Sequence, residues 1–254
     1  MFLSHLISPK FAQLDREKLL AVCALGALEQ HSNHMPLGTD HLIGEALVNR
    51  VEAAMPDRVV CLPTVWFGCS GHHLGFDGTV SVSTKTMSHI ITDLAESLQR
   101  SGIKRLLLLN SHGGNSAVMA TTIQELGSRN IGMTVAGISY WDAARDELMA
   151  ARQTALGGMG HACELETSLM LCDRADLVDM QAAEPDGIQA PSRFTRGEML
   201  AAPAVIIYKS VSSTSKHGGF GDPTSASAHK GELFYRLVVR GLLDLCEDML
   251  RDRL

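Results

Sequence analysis

The sequence lacks the cysteine spacings of a zinc knuckle or a redox motif. No two of its six cysteines are separated by two residues, and they stand at Cys23, Cys61, Cys69, Cys163, Cys172 and Cys246. Nothing in this spacing indicates a disulfide framework. We therefore expect reduced, mostly buried thiols, as in a cytoplasmic protein.

Basic charge and long apolar runs are also scarce. The 254 residues include 22 Lys+Arg against 28 Asp+Glu, a formal net charge of −6. Nucleic acids and anionic membranes need clustered basic residues, so neither is expected as the main partner. The longest apolar runs, such as Leu106 to Leu109, fall far short of the roughly 18 residues of a membrane span. The first residues have no signal-peptide pattern, and we expect a cytoplasmic, soluble protein that binds a small molecule.

Four common site motifs are missing as well. The sequence contains no G-x-G-x-x-G after its first strand, no G-x-x-x-x-G-K-[ST], no H-E-x-x-H and no G-x-S-x-G. It therefore gives no support to a dinucleotide site, a P-loop, a zincin or a serine-hydrolase nucleophile.

Apolar, β-rich stretches alternate with helical patterns along the chain. The predicted strands are Leu19 to Leu25, Val59 to Val65, Arg105 to Leu109, Met133 to Ile138 and Ala204 to Tyr208. The predicted helices are Asp40 to Ala54, Thr84 to Ser101, Asn115 to Ser128, Glu164 to Cys172 and Ser227 to Arg251. This alternation predicts an α/β protein with a largely parallel sheet flanked by helices. We expect one domain, 1–254, in which Ser210 to Ser227 is a lid or a subunit-contact loop.

The first cluster of candidate ligands follows the first predicted strand. The segment ALEQHSNHMPLGTDH offers Glu29, His31, His34, Asp40 and His41. Glu29 and His31 are two residues apart, so both side chains point to one face of an extended chain. A mixed set of carboxylates and imidazoles suits Zn²⁺, Mn²⁺ or Fe²⁺ better than Ca²⁺. The alternative is a polar surface loop without a ligand.

The second cluster is the segment LLLLNSHGGNS, from Leu106 to Ser116. Four leucines predict a buried strand, and the paired glycines allow a close backbone approach that presents His112 at the carboxyl end of the sheet. A single histidine at such a turn can also be a packed turn residue. Beside the first cluster, His112 becomes a candidate ligand.

The third cluster, GHACELETSLML, places His161 just before a helix that carries Glu164 and Glu166. Two helical residues two positions apart point about 200° away from each other. We therefore expect one glutamate to be a ligand and the other to be a cap or a partner of a ligand, and the sequence leaves open which is which. A solvated first helical turn would explain one carboxylate without any metal.

The fourth cluster, WFGCSGHHLGFDGTVSVST, is interpreted as a substrate-facing loop with His72, His73 and Phe76 available for contacts. The alternative is a glycine-rich loop whose histidines are only polar. Trp141 follows the fourth predicted strand and is either a wall of a pocket or a buried core aromatic.

These clusters together resemble the creatininase (creatinine amidohydrolase) family. The resemblance covers most of the chain, through LGALEQHSNHMPLGTDH, GHHLGFDGTVS, LLLLNSHGGNS, SYWDAA, GHACELETSLML and GFGDPTSASAHKGE in the family's order. It implies a three-layer α/β fold, a homohexamer and two divalent ions per chain, of Zn, Mn or Fe, near the carboxyl ends of the strands.

The resemblance also implies roles for individual residues. Glu29 and His112 would hold one ion, His31 the other, and Asp40 would bridge both. His161 matches the catalytic histidine, and we expect Glu166 to orient its imidazole or to cap the helix. His73, Phe76 and Trp141 are the expected substrate contacts.

Two departures from creatininase itself bear on these roles. Creatininase carries a carboxylate ligand two residues after the second-cluster histidine, where this chain has Gly114. We therefore expect Glu164 to supply the carboxylate of the second ion. Creatininase also has a substrate-facing tryptophan where this chain has Gly157, so creatinine is not the expected substrate.

The resulting hypothesis is a dinuclear amidohydrolase that cleaves a C–N bond of a small cyclic amide or formamide. A hydroxide held between the two ions would attack the carbonyl, and His161, with an ordinary pKa near 6.5, would act as acid and base. The alternatives are a hydrolase of a cyclic keto-sugar or of another small carbonyl compound, and a non-catalytic metal-binding homologue. A dinuclear phosphoesterase would need an Arg/Lys clamp, and the motif segments are poor in arginine.

Overall fold

A computed structural model of the chain describes residues 1–190, 192–195, 197–201 and 205–254. The strands are β1 (Leu20–Leu25), β2 (Val59–Cys61), β3 (Arg105–Asn110), β4 (Thr134–Ser139), β5 (Met159–His161) and β6 (Phe220–Gly221). The helices are α1 (Ser8–Ala12), α2 (Thr39–Ala54), α3 (Thr84–Arg100), α4 (Ser116–Ser128), α5 (Arg145–Ala151), α6 (Glu164–Arg174) and α7 (Ala228–Leu250).

Four strands form a parallel sheet in the order β2-β1-β3-β4. Strand β1 lies between β2 and β3, so the chain adds β2 on one side of β1 and then adds β3 on the other side. The loops after β1 and β3 therefore separate at their carboxyl ends, which is where ligands bind in open parallel sheets. Leu25 pairs with Asn110, so the two strands end side by side.

Helices cover both faces of this sheet. Alternate residues of β1 enter the two core clusters: Leu20, Val22 and Ala24 pack on one face, and Ala21, Cys23 and Leu25 on the other. The first face is covered by α2, α6 and α7, which contact one another, and the second by α3 and α4. The three-layer α/β architecture with a largely parallel sheet is confirmed, because the central strands are buried on both faces as their apolar runs predict.

Local sequence signals account for several helix boundaries. Ser83 precedes α3 and accepts a hydrogen bond from the Thr86 N–H at 3.1 Å, and Ser227 caps α7 through the Lys230 N–H at 3.3 Å. These side chains satisfy N–H groups that have no partner within the first helical turn. All six cysteines are free thiols and five are buried, as expected.

The strand predicted from Ala204 to Tyr208 is wrong. Ala204 lies outside the described residues, and residues 205–208 are irregular and solvent-exposed, with Ile206 98% exposed and Tyr208 75% exposed. An apolar β-rich run forms a strand only where a neighbouring strand can pair with it, and these residues have no such neighbour in the described part of the chain. The strand predicted to Val65 ends at Cys61, and only an isolated bridge joins Val65 to Leu25.

The segment from Ser210 to Ser227 is less irregular than expected. It contains a 3₁₀ turn at Val211–Ser213 and β6, which pairs antiparallel with β5.

Among the described residues, no helix combines the length and the apolar character that crossing a membrane requires.

Candidate metal centre

A cavity of about 580 Å³ opens at the carboxyl ends of β1, β3 and β4. One wall contains the acidic and histidine residues of the predicted clusters: Glu29, Asp40, His72, His73, His112, His161 and Glu166. A second part of the lining, the apolar wall, consists of Met119, Ile138, Trp141, Met199, Ala201 and Phe220. The cavity is thus lined by a titratable wall and an apolar wall, with the carboxyl groups of Asp142 and Glu198 as further polar lining.

Asp40 links the two sides of the titratable wall. It stands in the first turn of α2, and its backbone carbonyl accepts a hydrogen bond from the Ser111 hydroxyl at 2.8 Å. Its Oδ1 lies 3.1 Å from His31 Nε2, and its Oδ2 lies 3.0 Å from His112 Nδ1. One buried carboxylate therefore offers one oxygen to each of two histidines, which is the arrangement of a bridging ligand.

Backbone carbonyls orient the two histidines. The Nδ1–H of His31 can donate to the Glu29 carbonyl at 3.0 Å, and Nε2 of His112 lies 3.3 Å from the Cys69 carbonyl. In each ring this leaves the other nitrogen facing Asp40. Burial opposes the charged imidazole, but Asp40 raises the pKa of His31 to about 9, so its Nε2–H donates to Asp40 Oδ1 and a cation would take the place of that proton. Histidines that bind metals are fixed in the same way, by a hydrogen bond from the nitrogen that does not bind.

Glu29 lies at the centre of the histidines. Its Oε1 is 3.3 Å from His112 Nδ1, 3.5 Å from His73 Nε2 and 3.5 Å from His161 Nδ1. Burial alone would raise the pKa of this carboxyl, but His112, whose own pKa is raised, holds it well below its usual range. Glu29 is therefore an anion at neutral pH.

The structure does not bring Glu164 to this wall. Its carboxylate accepts hydrogen bonds from the backbone N–H groups of Gln153 at 3.0 Å and Thr154 at 2.8 Å, and Lys230 Nζ lies 2.5 Å from Oε1. The expectation that Glu164 is a ligand is corrected, because its carboxylate is fully engaged on the far side of α6. Glu166, about 200° further round the helix, lines the cavity instead.

Glu166 and His161 are joined through a strained backbone. The Ala162 N–H donates to Glu166 Oε2 at 2.7 Å, and Ala162 has a φ of 52°, in the left-handed region that residues with a Cβ rarely adopt. The His161 Nε2–H can donate to the Gln30 carbonyl at 2.7 Å, which leaves Nδ1 facing the centre. Both side chains are therefore aimed by main-chain contacts.

Burial changes the protonation of this pair. It raises the pKa of Glu166 to about 7 and lowers the pKa of His161 well below 6.5. The value near 6.5 that the sequence suggested for His161 is thus too high for this environment, because desolvation disfavours the imidazolium. His161 is a neutral imidazole at neutral pH and can accept a proton.

The residues fit a metal centre by several independent criteria. Three groups offer ligand atoms within 4.8 Å of one another: Glu29, His31 and His161; Glu29, His72 and His112; and His31, Asp40 and Glu166. Glu29 Oε2 is buried and makes no hydrogen bond among the described residues. Buried carboxylate oxygens without donors are costly unless a cation compensates them, and imidazole with carboxylate is a donor set suited to Zn²⁺, Mn²⁺ or Fe²⁺.

Gly114 leaves no room for a carboxylate at its position. A Cβ placed there would lie 2.3 Å from the Cys69 carbonyl oxygen and 2.4 Å from His112 Nε2. A side chain at 114 would therefore collide with the backbone and with the candidate ligand. Position 114 thus offers no carboxylate to this wall, whereas Glu166 lies beside His31 and Asp40.

Two of the three expected substrate contacts line the cavity. These are His73 and Trp141, both buried, whereas Phe76 is not among the lining residues. Glu198, Met199 and Phe220 could not be found from the sequence, because their segments have no periodic pattern and reach the cavity only through the fold. Gly157 does not line the cavity, and its N–H donates to Glu198 Oε2 at 2.7 Å.

Comparisons with known proteins agree with this geometry. The family model for creatinine amidohydrolase (creatininase) matches residues 4–246. A creatinine amidohydrolase from Pseudomonas putida is 30% identical over 234 residues, covering 87% of this chain and 85% of the relative. A mycofactocin precursor peptide peptidase from Mycolicibacterium smegmatis is 29% identical over 249 residues, covering 95% of this chain and 90% of the relative.

Solved structures match over nearly the full length. A structure of creatininase with Mn has a TM-score of 0.80 and 27% identity, with 98% of each chain covered. A Zn–Zn form of a creatininase mutant has a TM-score of 0.75 and 26% identity, again with 98% of each chain covered. Sequence and fold agree, and the chain belongs to the creatininase family of amidohydrolases.

Proposed function

We propose that the protein is a dinuclear metal-dependent amidohydrolase that cleaves a C–N bond of a small cyclic amide or formamide. The observation that carries this proposal is the Asp40 carboxylate, whose two oxygens lie 3.1 Å from His31 Nε2 and 3.0 Å from His112 Nδ1. A carboxylate shared in this way suits two neighbouring ions.

The ligands divide into two sets around Asp40. Glu29 and His112 would hold one ion, and His31 and Glu166 would hold the other, with Asp40 common to both. Zn²⁺, Mn²⁺ and Fe²⁺ all suit this donor set, and availability would decide among them. When bound, a pair of such ions supplies a water nucleophile at neutral pH and polarises the substrate carbonyl.

His161 would transfer a proton from the water nucleophile to the leaving nitrogen. Its Nε2–H is held on the Gln30 carbonyl and its Nδ1 faces the centre, so the neutral imidazole can take a proton from the nucleophile and deliver it to the leaving nitrogen. Glu166 is anchored by the Ala162 N–H, which couples the position of His161 to that of a proposed ligand. His73 would steady Glu29 through the contact of 3.5 Å between Nε2 and Oε1.

The lining supports a small, uncharged or cationic substrate. Trp141 and Met199 present apolar surface, and no lysine or arginine is found among the described residues that line the cavity. A phosphoryl or carboxylate-rich substrate would need basic side chains there, so a phosphoesterase is disfavoured. The creatinine amidohydrolase and the peptidase among the relatives both act on C–N bonds, which supports the same bond type here.

Metal content and a substrate screen test this proposal. Elemental analysis of protein purified without a chelating column should give about two ions of Zn, Mn or Fe per chain. The loaded protein is then assayed against lactams, cyclic imides, formamides, a cyclic keto-sugar and a short peptide. Absence of metal even after reconstitution would contradict the proposal. Bound metal without turnover of any of these compounds would favour the non-catalytic metal-binding homologue, and turnover of the keto-sugar alone would favour that alternative.

We also infer that residues 1–254 form one domain that assembles as a homohexamer in the cytoplasm. Both core clusters pack on the same sheet, which supports a single domain. Exposed apolar side chains at Phe194, Ile206 and Tyr208 suit a contact with another subunit, and free thiols suit a reducing compartment. Light scattering of the purified protein would measure the mass of the assembly.

A further inference from the structure

His72 lies on the titratable wall, where neither the family resemblance nor the proposed mechanism uses it. It belongs to the 3₁₀ turn Gly71–His73, is half-buried and lines the cavity. Its ring stacks on that of His112, with centroids 5.7 Å apart and planes inclined by 14°. One ligand atom each of His72, Glu29 and His112 lies within 4.8 Å of the other two.

Gly114 makes this arrangement possible. A Cβ at that position would lie 3.0 Å from Cε1 of His72 and 2.4 Å from Nε2 of His112. The glycine therefore leaves space that the two stacked rings occupy. A side chain there would push His72 away from Glu29 and His112.

His72 also differs from its neighbours in what its ring contacts. His31, His112 and His161 each have a ring nitrogen within 3.3 Å of a backbone carbonyl oxygen. The ring of His72 makes no hydrogen bond within the described part of the chain, and it packs against the rings of His73 and His112. The adjacent His73 is buried and directed at Glu29, and its ring packs edge-on against that of His72, with centroids 4.6 Å apart.

We propose that His72 is an additional ligand of the ion held by Glu29 and His112. Nitrogen ligands of a tetrahedral ion lie about 3.3 to 3.5 Å apart, because metal–nitrogen bonds are about 2.0 to 2.1 Å long. The ring nitrogen of His72 lies within 4.8 Å of the ligand atoms of Glu29 and His112, and binding of the ion would draw it to that separation. Because His72 also lines the cavity, an incoming carbonyl oxygen must share the ion with it or displace it.

The inference rests on the proposed metal centre, and the test separates the two. Metal-free protein is titrated with Co²⁺ alone, and chelator competition gives the affinity of each site while the visible absorption of Co²⁺ reports its coordination. The variants are His72→Gln and His72→Glu, which have the same shape but differ in their ability to ligate. His89→Gln, an exposed histidine on α3, is the matched control.

We expect His72→Gln to weaken one site about tenfold or more and to change its absorption, with the other site unchanged. His72→Glu should stay within about threefold of the parent, and His89→Gln should match the parent. Parental affinities and spectra in His72→Gln overturn the inference and leave the dinuclear proposal intact. Equal weakening in the Gln and Glu variants also overturns it, because that result indicates packing. Failure of the parent to bind Co²⁺ overturns both proposals.

Discussion

The first prediction tests the roles of two glutamates on α6, with Glu164 as the buried partner of Lys230 and Glu166 as the proposed metal ligand. Glu164 is fully buried and pairs with Lys230, whose side chain is 10% exposed. Glu164→Gln would leave the Lys230 ammonium without its counterion, although the amide oxygen could still accept from Gln153 and Thr154. Removal of one partner from a buried ion pair costs about 3 to 5 kcal/mol. For a chain of this size, this corresponds to a fall in melting temperature of about 6 to 20 °C.

We do not expect this loss of stability to be accompanied by a loss of metal. Glu164→Gln is expected to retain about as much metal as the parent, because its carboxylate does not face the cavity. Glu166→Gln should have the opposite profile, with one ion lost and the stability of the metal-free protein changed far less. Denaturant unfolding of metal-free protein and elemental analysis of loaded protein measure the two effects separately.

A double-mutant cycle provides the control. Lys230→Met combined with Glu164→Gln removes both charges, so the double variant should be more stable than the sum of the single effects indicates. If Glu164→Gln lost one ion at unchanged stability, the assignment of Glu166 as the ligand would be refuted. Additive single effects would refute the description of Glu164 and Lys230 as a coupled buried pair.

Three further predictions concern the centre and its surroundings. Asp40→Ala should lose both ions and all activity, because one carboxylate serves both; full metal content would rule out bridging. His161→Gln should keep two ions and lose most of the activity, and an unchanged rate would remove His161 from the reaction. Burial lowers the pKa of His34 to about 4, so this histidine is neutral when folded but takes up a proton near pH 6.5 when unfolded. Its contribution to the stability of metal-free protein should therefore fall as pH drops from 6.5 towards 4, by up to about 1.4 kcal/mol per pH unit, and His34→Gln should flatten that decline in denaturant titrations.

The central sheet could be predicted from sequence because its pattern is local. Leu106 to Leu109 form a strand with both faces buried, and the polar turns that follow β1 and β3 meet where parallel strands end. Predicted and observed helices mostly differ by one or two residues at their ends. The failed strand near Ile206 has similar apolar content, so the difference lies in the availability of a pairing neighbour, which local sequence does not contain.

The choice between Glu164 and Glu166 could not be made from spacing alone. Helical geometry indicates that only one of them faces the metals, but the rotation of α6 is fixed by its packing against α2 and α7. Lys230, the residue that identifies Glu164 as structural, lies 66 positions later in the chain. Contacts between residues far apart in the sequence also bring Glu198 and Phe220 to the cavity, and no local sequence pattern predicts that these residues line it.

In the proposed mechanism, the residues that carry out the reaction and those that select the substrate lie on different walls of the cavity. The proposed ligands Glu29, Asp40, His112 and Glu166 belong to the titratable wall together with His161, whereas Trp141 and Met199 belong to the apolar wall. Replacements on the apolar wall can change the molecules that fit without altering the ions or the proton acceptor. One metal centre of this design can therefore serve enzymes with unrelated substrates, and transplanting residues 197–201 from a relative should change specificity while the metal content stays the same.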